Sequence, residues 1–572
     1  MGLKLFRSTG HSSLLDARAA AAWQHKKSPA GYNPLVMWAL VCAWLATVGN
    51  WALWRELSRL GQMNTLADYA FAAGFAVIIF GGLGALCTLF AWRRSVKPVA
   101  TVLLIAAALG MHFMLTYGIV IDTTMIVNVL QTDPRESRDL LNLRMLVTLV
   151  LVAGLPSVWL WRQTVQRLAW PRQGLRNLAG LLGCVVLILG ALAASFQPFA
   201  STMRNHTQVR YLINPLNSIY ALGYLASSPL HKGVRPFKPL GQDAKLPLNV
   251  AGNSKPPLLV LVVGETARSG NFGINGYPRP TTPELAALMA TERMASLRNV
   301  TSCGTSTAAS LPCMFSHLGR AGYDSRDANY ESLVDVLQHA GLAVLWLNNQ
   351  SGCKGICDRV AYADTTAEKV PEFCSTGECF DGIMLHNLSN RIAALPAERR
   401  AKGVVVLMHQ MGSHGPAYYK RVPAAFKKFT PECTSNALQD CSQAQLTNSY
   451  DNTIAYTDHL LGSTIKWLKA QENTAQTAMV YVADHGESLG ENNIYLHGLP
   501  YAIAPDVQKM VPWITWLSSG FAARSKVDTA CLQQRAAQRV SHDNYFHSVL
   551  GLLGIQTSAY QPALNLYAAC TK

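Results

Sequence analysis

Five apolar runs without a single Asp, Glu, Lys or Arg crowd into the first 203 residues of the chain, at 33–54, 69–92, 98–121, 145–161 and 177–203. A bilayer core of about 30 Å is crossed by about 20 apolar helical residues. In hydrocarbon a segment must satisfy its own backbone hydrogen bonds, which a helix does. The runs therefore predict an α-helical membrane domain of five transmembrane helices. The fourth is the shortest and holds Pro156, which removes one helical hydrogen bond and predicts a kink. None reads as a cleaved signal peptide, because the first begins late and others follow it.

Lys and Arg near the ends of the runs set their orientation. Lys26 and Lys27 precede the first run, Arg93, Arg94 and Lys97 follow the second, and Arg162, Arg167, Arg172 and Arg176 separate the fourth from the fifth. All three groups share one side if residues 1–32 are a cytoplasmic segment, which places everything after the fifth run outside. The cysteines agree. Cys42, Cys87 and Cys184 lie inside apolar runs, whereas the other ten follow position 300, mostly in short-spaced pairs and never as CxxC. That pattern favours disulfides in an oxidising compartment over a thiolate metal site.

The formal net charge of +16 lies largely beside the apolar runs, where it suits anionic lipid, and no nucleic-acid motif accompanies it. Residues 204–256 carry Arg204, Arg210, Lys232, Arg235, Lys238, Lys245 and Lys255 against the single acid Asp243, and read as a bridging linker. Within it, 212–225 interleaves Leu, Ile and Tyr with polar residues. An interfacial amphipathic helix and a solvated basic linker fit equally well.

From 257 to 572 the pattern changes. Short apolar stretches at 258–263, 342–347, 404–408, 478–482 and 513–517 do not alternate, as strands covered on both faces do not. Helical stretches such as 331–340 and 452–469 fall between them. This predicts an α/β doubly wound domain with a parallel sheet, whose chemistry sits beyond the carboxyl ends of the strands. There stand Glu265, then Ser413-His414-Gly415, then Asp484-His485-Gly486-Glu487. A single strand-terminal acid is more often a helix cap. Glu265, Asp484 and a His at one rim form a donor set for zinc, or less well manganese. Ser302-Cys303-Gly304-Thr305-Ser306-Thr307 adds three consecutive hydroxyls. A metal-bound hydroxyl is a stronger nucleophile, and a helix starting there would favour a phosphate. Composition does not choose among the three, and an ordinary turn or N-cap is the plain alternative.

Val263-Gly264-Glu265-Thr266-Ala267-Arg268, Ser302–Thr307, Ser413-His414-Gly415-Pro416 and Ala483-Asp484-His485-Gly486-Glu487-Ser488 stand in the order found in phosphoethanolamine–lipid A transferases. The chain resembles this family, which includes the mobile colistin-resistance enzymes and belongs to the alkaline phosphatase/sulfatase superfamily. The resemblance covers nearly the whole chain, although the segment before the first run is longer than the family pattern. It implies Thr307 as nucleophile and zinc held by Glu265, Thr307, Asp484 and His485, with room for a second zinc. It implies substrate-side roles for His414 and His497, each holding a phosphate oxygen, acting as acid/base or binding that second zinc. Ser351 and Lys354 resemble positions that contact phosphoethanolamine, and Asn128, Thr132 and Glu136 resemble a donor-binding patch. It further implies bridges Cys303–Cys313, Cys353–Cys357, Cys374–Cys379 and Cys433–Cys441, with Cys531–Cys570 the pair left by count.

The implied donor is phosphatidylethanolamine and the implied acceptor lipid A, with the catalytic domain in the periplasm of a bacterial inner-membrane protein. A monomer is expected. Capping a lipid A phosphate lowers surface negative charge, so polymyxin resistance is the implied phenotype. From the residues alone, Lys354 also fits a solvated lysine between two cysteines. Asn128, Thr132 and Glu136 share a helix face that also fits the wet end of a helix. Ser541-His542-Asp543 fits the family pattern too, and reads as a helix N-cap. Three rivals remain. One is transfer of phosphoethanolamine or phosphoglycerol to another glycan. Another is a sulfatase-type hydrolase, which wants a Cys-x-Pro-x-Arg motif that is absent around Thr307. The last is a non-enzymatic membrane sensor, which would tend to lose the metal ligands that stand here.

Overall fold

The structure, a computed structural model, describes residues 31–131, 134–232, 235–247, 255–375 and 378–572. Its contacts form two units. One contains residues 31–109, 147–205 and 213–216, and the other Gly110–Leu146, His206–Leu212 and Asn217–Lys572.

Among the described residues, five helices are long and apolar enough to cross a membrane: Pro34–Arg59, Leu66–Thr88, Val96–Tyr117, Leu143–Arg162 and Trp170–Asn205. Each overlaps one of the five apolar runs, the first continuing past its run to Arg59, the third stopping at Tyr117 and the fifth starting early at Trp170. Asn33 caps the first, its side-chain oxygen accepting from Leu35 N at 3.0 Å, with Pro34 in the first helical position, where no N–H is needed. In the fourth, a widened π-turn at Leu149–Gly154 precedes Pro156 and absorbs the irregularity the proline predicts. The second and fifth helices approach closely. A Cβ on Gly81 would lie 2.6 Å from Ile188 Cγ1 and 3.2 Å from the Cys184 carbonyl oxygen, and one on Gly84 2.7 Å from Cys184 Sγ, so glycine lets the two helices approach without displacing these groups. Leu182, Val186 and Leu189 on the fifth helix are exposed, as lipid-facing side chains are. Helix Leu216–Lys232 covers much of the interleaved linker stretch and exposes Tyr220, Leu222 and Tyr224.

The second unit is built on an eight-stranded sheet. In chain order its strands are β1 (Pro257–Gly264), β2 (Met294–Thr301), β3 (Ala343–Asn348), β4 (Ala361–Asp364), β5 (Val404–His409), β6 (Gln476–Ala483), β7 (Met510–Leu517) and β8 (Val540–Ser541). They lie side by side in the order β8-β2-β7-β6-β1-β5-β3-β4. β1, β3 and β5 are buried along their whole length, which is why their sequences do not alternate. The expected all-parallel order needs one correction. β7 pairs antiparallel with both β6 and β2, and the other neighbours pair in parallel. The chain leaves β6 at the carboxyl rim, makes a long excursion there and re-enters as β7 beside it, so it needs no crossover. All five expected disulfides are present: Cys303–Cys313, Cys353–Cys357, Cys374–Cys379, Cys433–Cys441 and Cys531–Cys570.

Candidate metal centre and active-site pocket

Parallel register brings the acids together. Gly264 at the end of β1 lies opposite Ala483 at the end of β6, so the next residues, Glu265 and Asp484, emerge side by side. His485 comes next. Its Nε2 is 3.3 Å from Glu265 Oε1 and 3.5 Å from Asp484 Oδ2, and all three side chains are fully buried. His485 Nδ1 lies 2.9 Å from the carbonyl of Gly486, which only accepts, so Nδ1 carries a proton and Nε2 is aimed at the carboxylates.

Two buried carboxylates around one imidazole nitrogen require positive charge there. Burial acts to lower the His485 pKa, but the charges of Asp484 and Glu265 outweigh it and push it up to about 10. Burial, and then the charge of Glu265, push Asp484 up to about 7. Asp484 Oδ1 accepts from Thr266 N and His485 N, whereas Oδ2 is buried with no hydrogen bond. An orphaned carboxylate oxygen is costly in such a place. A divalent cation taking the position of the Nε2 proton would satisfy it, so Glu265, Asp484 and His485 fit a metal.

Of the three candidate hydroxyls, the structure brings Thr307 to this cluster. Thr307 opens helix Thr307–Met314, and its Oγ1 donates to Glu265 Oε2 at 2.9 Å and lies 3.4 Å from His485 Nε2. Thr305 turns away and donates to Leu499 O, and Ser306 is the N-cap residue. Thr266 adopts φ 58°, a conformation strained for a β-branched residue. The strain turns its N–H toward Asp484 and lets its hydroxyl donate to Glu265 Oε1.

A cavity of about 130 Å³ opens at Thr307 and gathers most of the expected substrate-side residues: Asn128, Ser351, Lys354, His414 and His497. Lys354 Nζ donates to Ser351 Oγ at 3.0 Å and to Gln131 O at 3.1 Å. His497 Nδ1 is 2.8 Å from Glu487 Oε2, and its ring lies 4.4 Å from that of His485 and 5.3 Å from that of His414. Burial pushes the Glu487 carboxyl up to about 8, and Tyr418 donates to it. The rest of the lining is largely apolar, with Phe113, Ile119, Met125, Leu140 and Leu496. Thr132 and the side chain of Glu136 lie outside the described residues.

Two residues of the cluster have no role in the sequence reading. Gln350 donates to Glu265 Oε2 at 3.0 Å and accepts from Ser351, and Glu487 holds His497. Glu487 stands two residues after His485, and Gln350 directly precedes Ser351, but nothing local to either marks its partner.

The amino-terminal part of the chain matches the family described as phosphoethanolamine transferase EptA/EptB over residues 79–230, and the sulfatase family matches residues 257–555. The phosphoethanolamine transferase EptA of Salmonella typhimurium is 40% identical over 94% of this chain and 97% of that protein. The phosphatidylethanolamine transferase Mcr-1 of Escherichia coli is 39% identical over 85% of this chain and 90% of its own. The solved integral membrane lipooligosaccharide phosphoethanolamine transferase A of Neisseria meningitidis covers 94% of this chain and 99% of its own at a TM-score of 0.88 and 35% identity. The chain therefore belongs to the phosphoethanolamine transferases of the EptA and Mcr kind, with a sulfatase-type domain following its membrane helices.

Proposed function

We propose that this protein transfers phosphoethanolamine from phosphatidylethanolamine to a phosphate of lipid A through a covalent intermediate on Thr307. The observation that carries this reading is the cavity in which the Thr307 hydroxyl, bonded to Glu265, meets Lys354, Ser351, His414 and His497, alongside an apolar wall. A water-soluble substrate would have no use for that wall, whereas a glycerolipid would. The names of the Salmonella and Mcr relatives point to the same chemistry.

The Thr307 oxygen attacks phosphorus as its proton passes to Glu265 Oε2, the bond from phosphorus to the glycerol oxygen breaks, and diacylglycerol leaves. Glu487 holds Nδ1 of His497, so Nε2 is the atom that gives the departing oxygen its proton. His414 beside it holds a phosphoryl oxygen, and Lys354 with Ser351 orients the donor. A lipid A phosphate oxygen then attacks the phosphoryl group on Thr307, its proton passing to His497 Nε2, the bond from phosphorus to the Thr307 oxygen breaks, and that oxygen regains its proton from Glu265. Zinc held by Glu265, Asp484, His485 and the Thr307 oxygen would supply Lewis-acid stabilisation of the nucleophile and the phosphoryl charge.

Five spans with a cytoplasmic amino terminus put the catalytic unit in the periplasm, where both lipids are reached. A phosphate monoester carries about −1.5 to −2 charge near neutral pH. Capping it with phosphoethanolamine reduces that charge and adds an ammonium, which weakens attraction of polymyxin. The test is diacylglycerol release from phosphatidylethanolamine by the purified full chain and its Thr307→Ala variant, with mass spectrometry of lipid A from cells carrying each. Release at the normal rate by the variant rules out Thr307 as nucleophile, and unmodified lipid A in cells with the intact protein rules out that acceptor.

A further inference from the structure

The turn that begins at Ser541 lies apart from the cavity, yet it grips both halves of the reacting centre. β8 pairs in parallel with β2, Ser541 opposite Thr301, so the two strands end together beside the Thr307 turn. Ser541 caps the helical turn His542–Asn544, its hydroxyl accepting from Asp543 N. The cap leaves the ring of His542 pointing inward, where it is 1% exposed.

Both ring nitrogens are used. Cys303 N–H donates to Nδ1 at 3.1 Å, so Nδ1 carries a lone pair and Nε2 carries the hydrogen. Nε2 donates to the carbonyl of Ala483 at 3.0 Å. The ladder between β6 and β7 ends at Val482 and Trp513, so His542 supplies a donor just beyond the last sheet pair. Ser310, one turn along the helix from Thr307, donates to the next carbonyl, Asp484 O, at 2.5 Å and lies 3.3 Å from His542 Nδ1. Asp543 completes the grip by accepting from Arg320 N at 2.7 Å, beyond the end of that helix.

We infer that His542 is a positioning residue for the transfer reaction, setting the Thr307 turn in register with the strand end that carries Asp484 and His485. This rests on Thr307 as nucleophile. The ring does not line the cavity at Thr307, and its nitrogens bond the backbone at Cys303 and Ala483. It joins the backbone of the nucleophile loop, at Cys303, to the backbone one residue before Asp484. A methyl or an alkane at this place leaves an amide and a carbonyl unpaired and lets the two loops slide. Displacement of reacting groups by about 1 Å costs on the order of 100-fold in rate.

The test uses the full chain in detergent with headgroup-labelled phosphatidylethanolamine, comparing His542→Ala, His542→Gln and Thr307→Ala. A glutamine amide can donate to Ala483 O as Nε2 does. His542→Ala is expected to lower kcat by about 100-fold with KM changed by less than about twofold, and His542→Gln to recover about tenfold of the loss. Metal content and thermal midpoint of His542→Gln should match the parent. A wild-type kcat in His542→Ala overturns the inference, provided that Thr307→Ala is inactive. It is also overturned if both His542 variants lose activity only in step with folded protein or bound metal. Activity in Thr307→Ala instead removes the nucleophile assignment beneath it.

Discussion

Gln350 donates from Nε2 to Glu265 Oε2 at 3.0 Å, so the same carboxylate oxygen that receives the Thr307 hydroxyl is also held by the residue preceding Ser351. Gln350 Oε1 accepts from Ser351, and Lys354 donates to Ser351. The proposed donor subsite and Glu265, a proposed metal ligand, are thus joined by consecutive hydrogen bonds. Partners that orient a metal ligand typically matter by about 10- to 100-fold in affinity or activity. Gln350→Ala is expected to reduce both zinc retention and kcat by an amount in that range. Gln350→Glu should be worse, because it sets a second carboxylate against Glu265. Zinc titration against a competing chelator measures the first effect. Unchanged retention in both variants would show that Glu265 needs no orienting partner.

Arg421 is buried, and its whole guanidinium is committed. It donates from Nε to His414 O at 3.2 Å, from one terminal nitrogen to Asp139 Oδ2 at 3.2 Å, and from the other to Glu378. Asp139 precedes Leu140, which lines the cavity. Breaking a buried ion pair by removing one partner costs about 3–5 kcal/mol. Arg421→Ala should therefore lower the thermal midpoint strongly and raise KM for the donor as the Leu140 wall loosens. Asp139→Asn should cost less, since Glu378 still pairs with the guanidinium. Equal midpoints for the two variants would contradict this ranking.

The five spans are legible in the sequence because run length is itself the physical requirement for crossing a bilayer. The rim of Glu265, Asp484 and His485 is legible because strands covered on both faces are continuous apolar runs, and the residues just past such a run lie at the rim. Direction leaves no such mark. Trp513–Leu517 looks the same whether β7 runs with its neighbours or against them. Nor does hydropathy reveal that Gly110–Leu146 packs within the second unit and supplies the apolar wall. The choice of Thr307 over Thr305 and Ser306 depends on which hydroxyl the helix start turns toward Glu265, a matter of backbone dihedrals. Gln350 and His542 act through partners 85 and 239 residues away, so no local pattern could mark them.

Asp458 gives the fold a pH dependence that can be measured apart from the metal centre. Its carboxylate accepts from Glu284 N at 2.9 Å and Leu285 N at 2.8 Å, at the start of helix Pro283–Thr291. Burial pushes its pKa up from 3.8 to about 7. The unfolded chain releases this proton near the lower value and the folded chain near the upper one. Between them the folded state binds more protons, so this contribution to stability falls as pH rises and levels off above about 7. Asp458→Asn does not titrate. The midpoint of the parent minus that of the variant should decline from about pH 4 to about pH 7 and then stay flat, a difference in which the titration of Glu265, Asp484 and His485 cancels. A constant difference over that interval would refute the assignment.

Lys354 occupies the left-handed region at φ 51°, where a side chain costs roughly 1–2 kcal/mol relative to glycine. It stays there while its ammonium, in the lining of the cavity, bridges Ser351 Oγ, Ser351 O and Gln131 O. Strain kept at a ligand-facing position is expected to serve binding rather than stability. Two truncations separate these effects, since Lys354→Ala and Lys354→Gly both remove the ammonium but only glycine relieves the backbone. Both should raise KM for phosphatidylethanolamine by similar factors. The glycine variant should melt higher than the alanine variant by the equivalent of about 1 kcal/mol. If the alanine variant is the more stable, the backbone at Lys354 is unstrained. If KM is unchanged in both, the ammonium does not meet the donor.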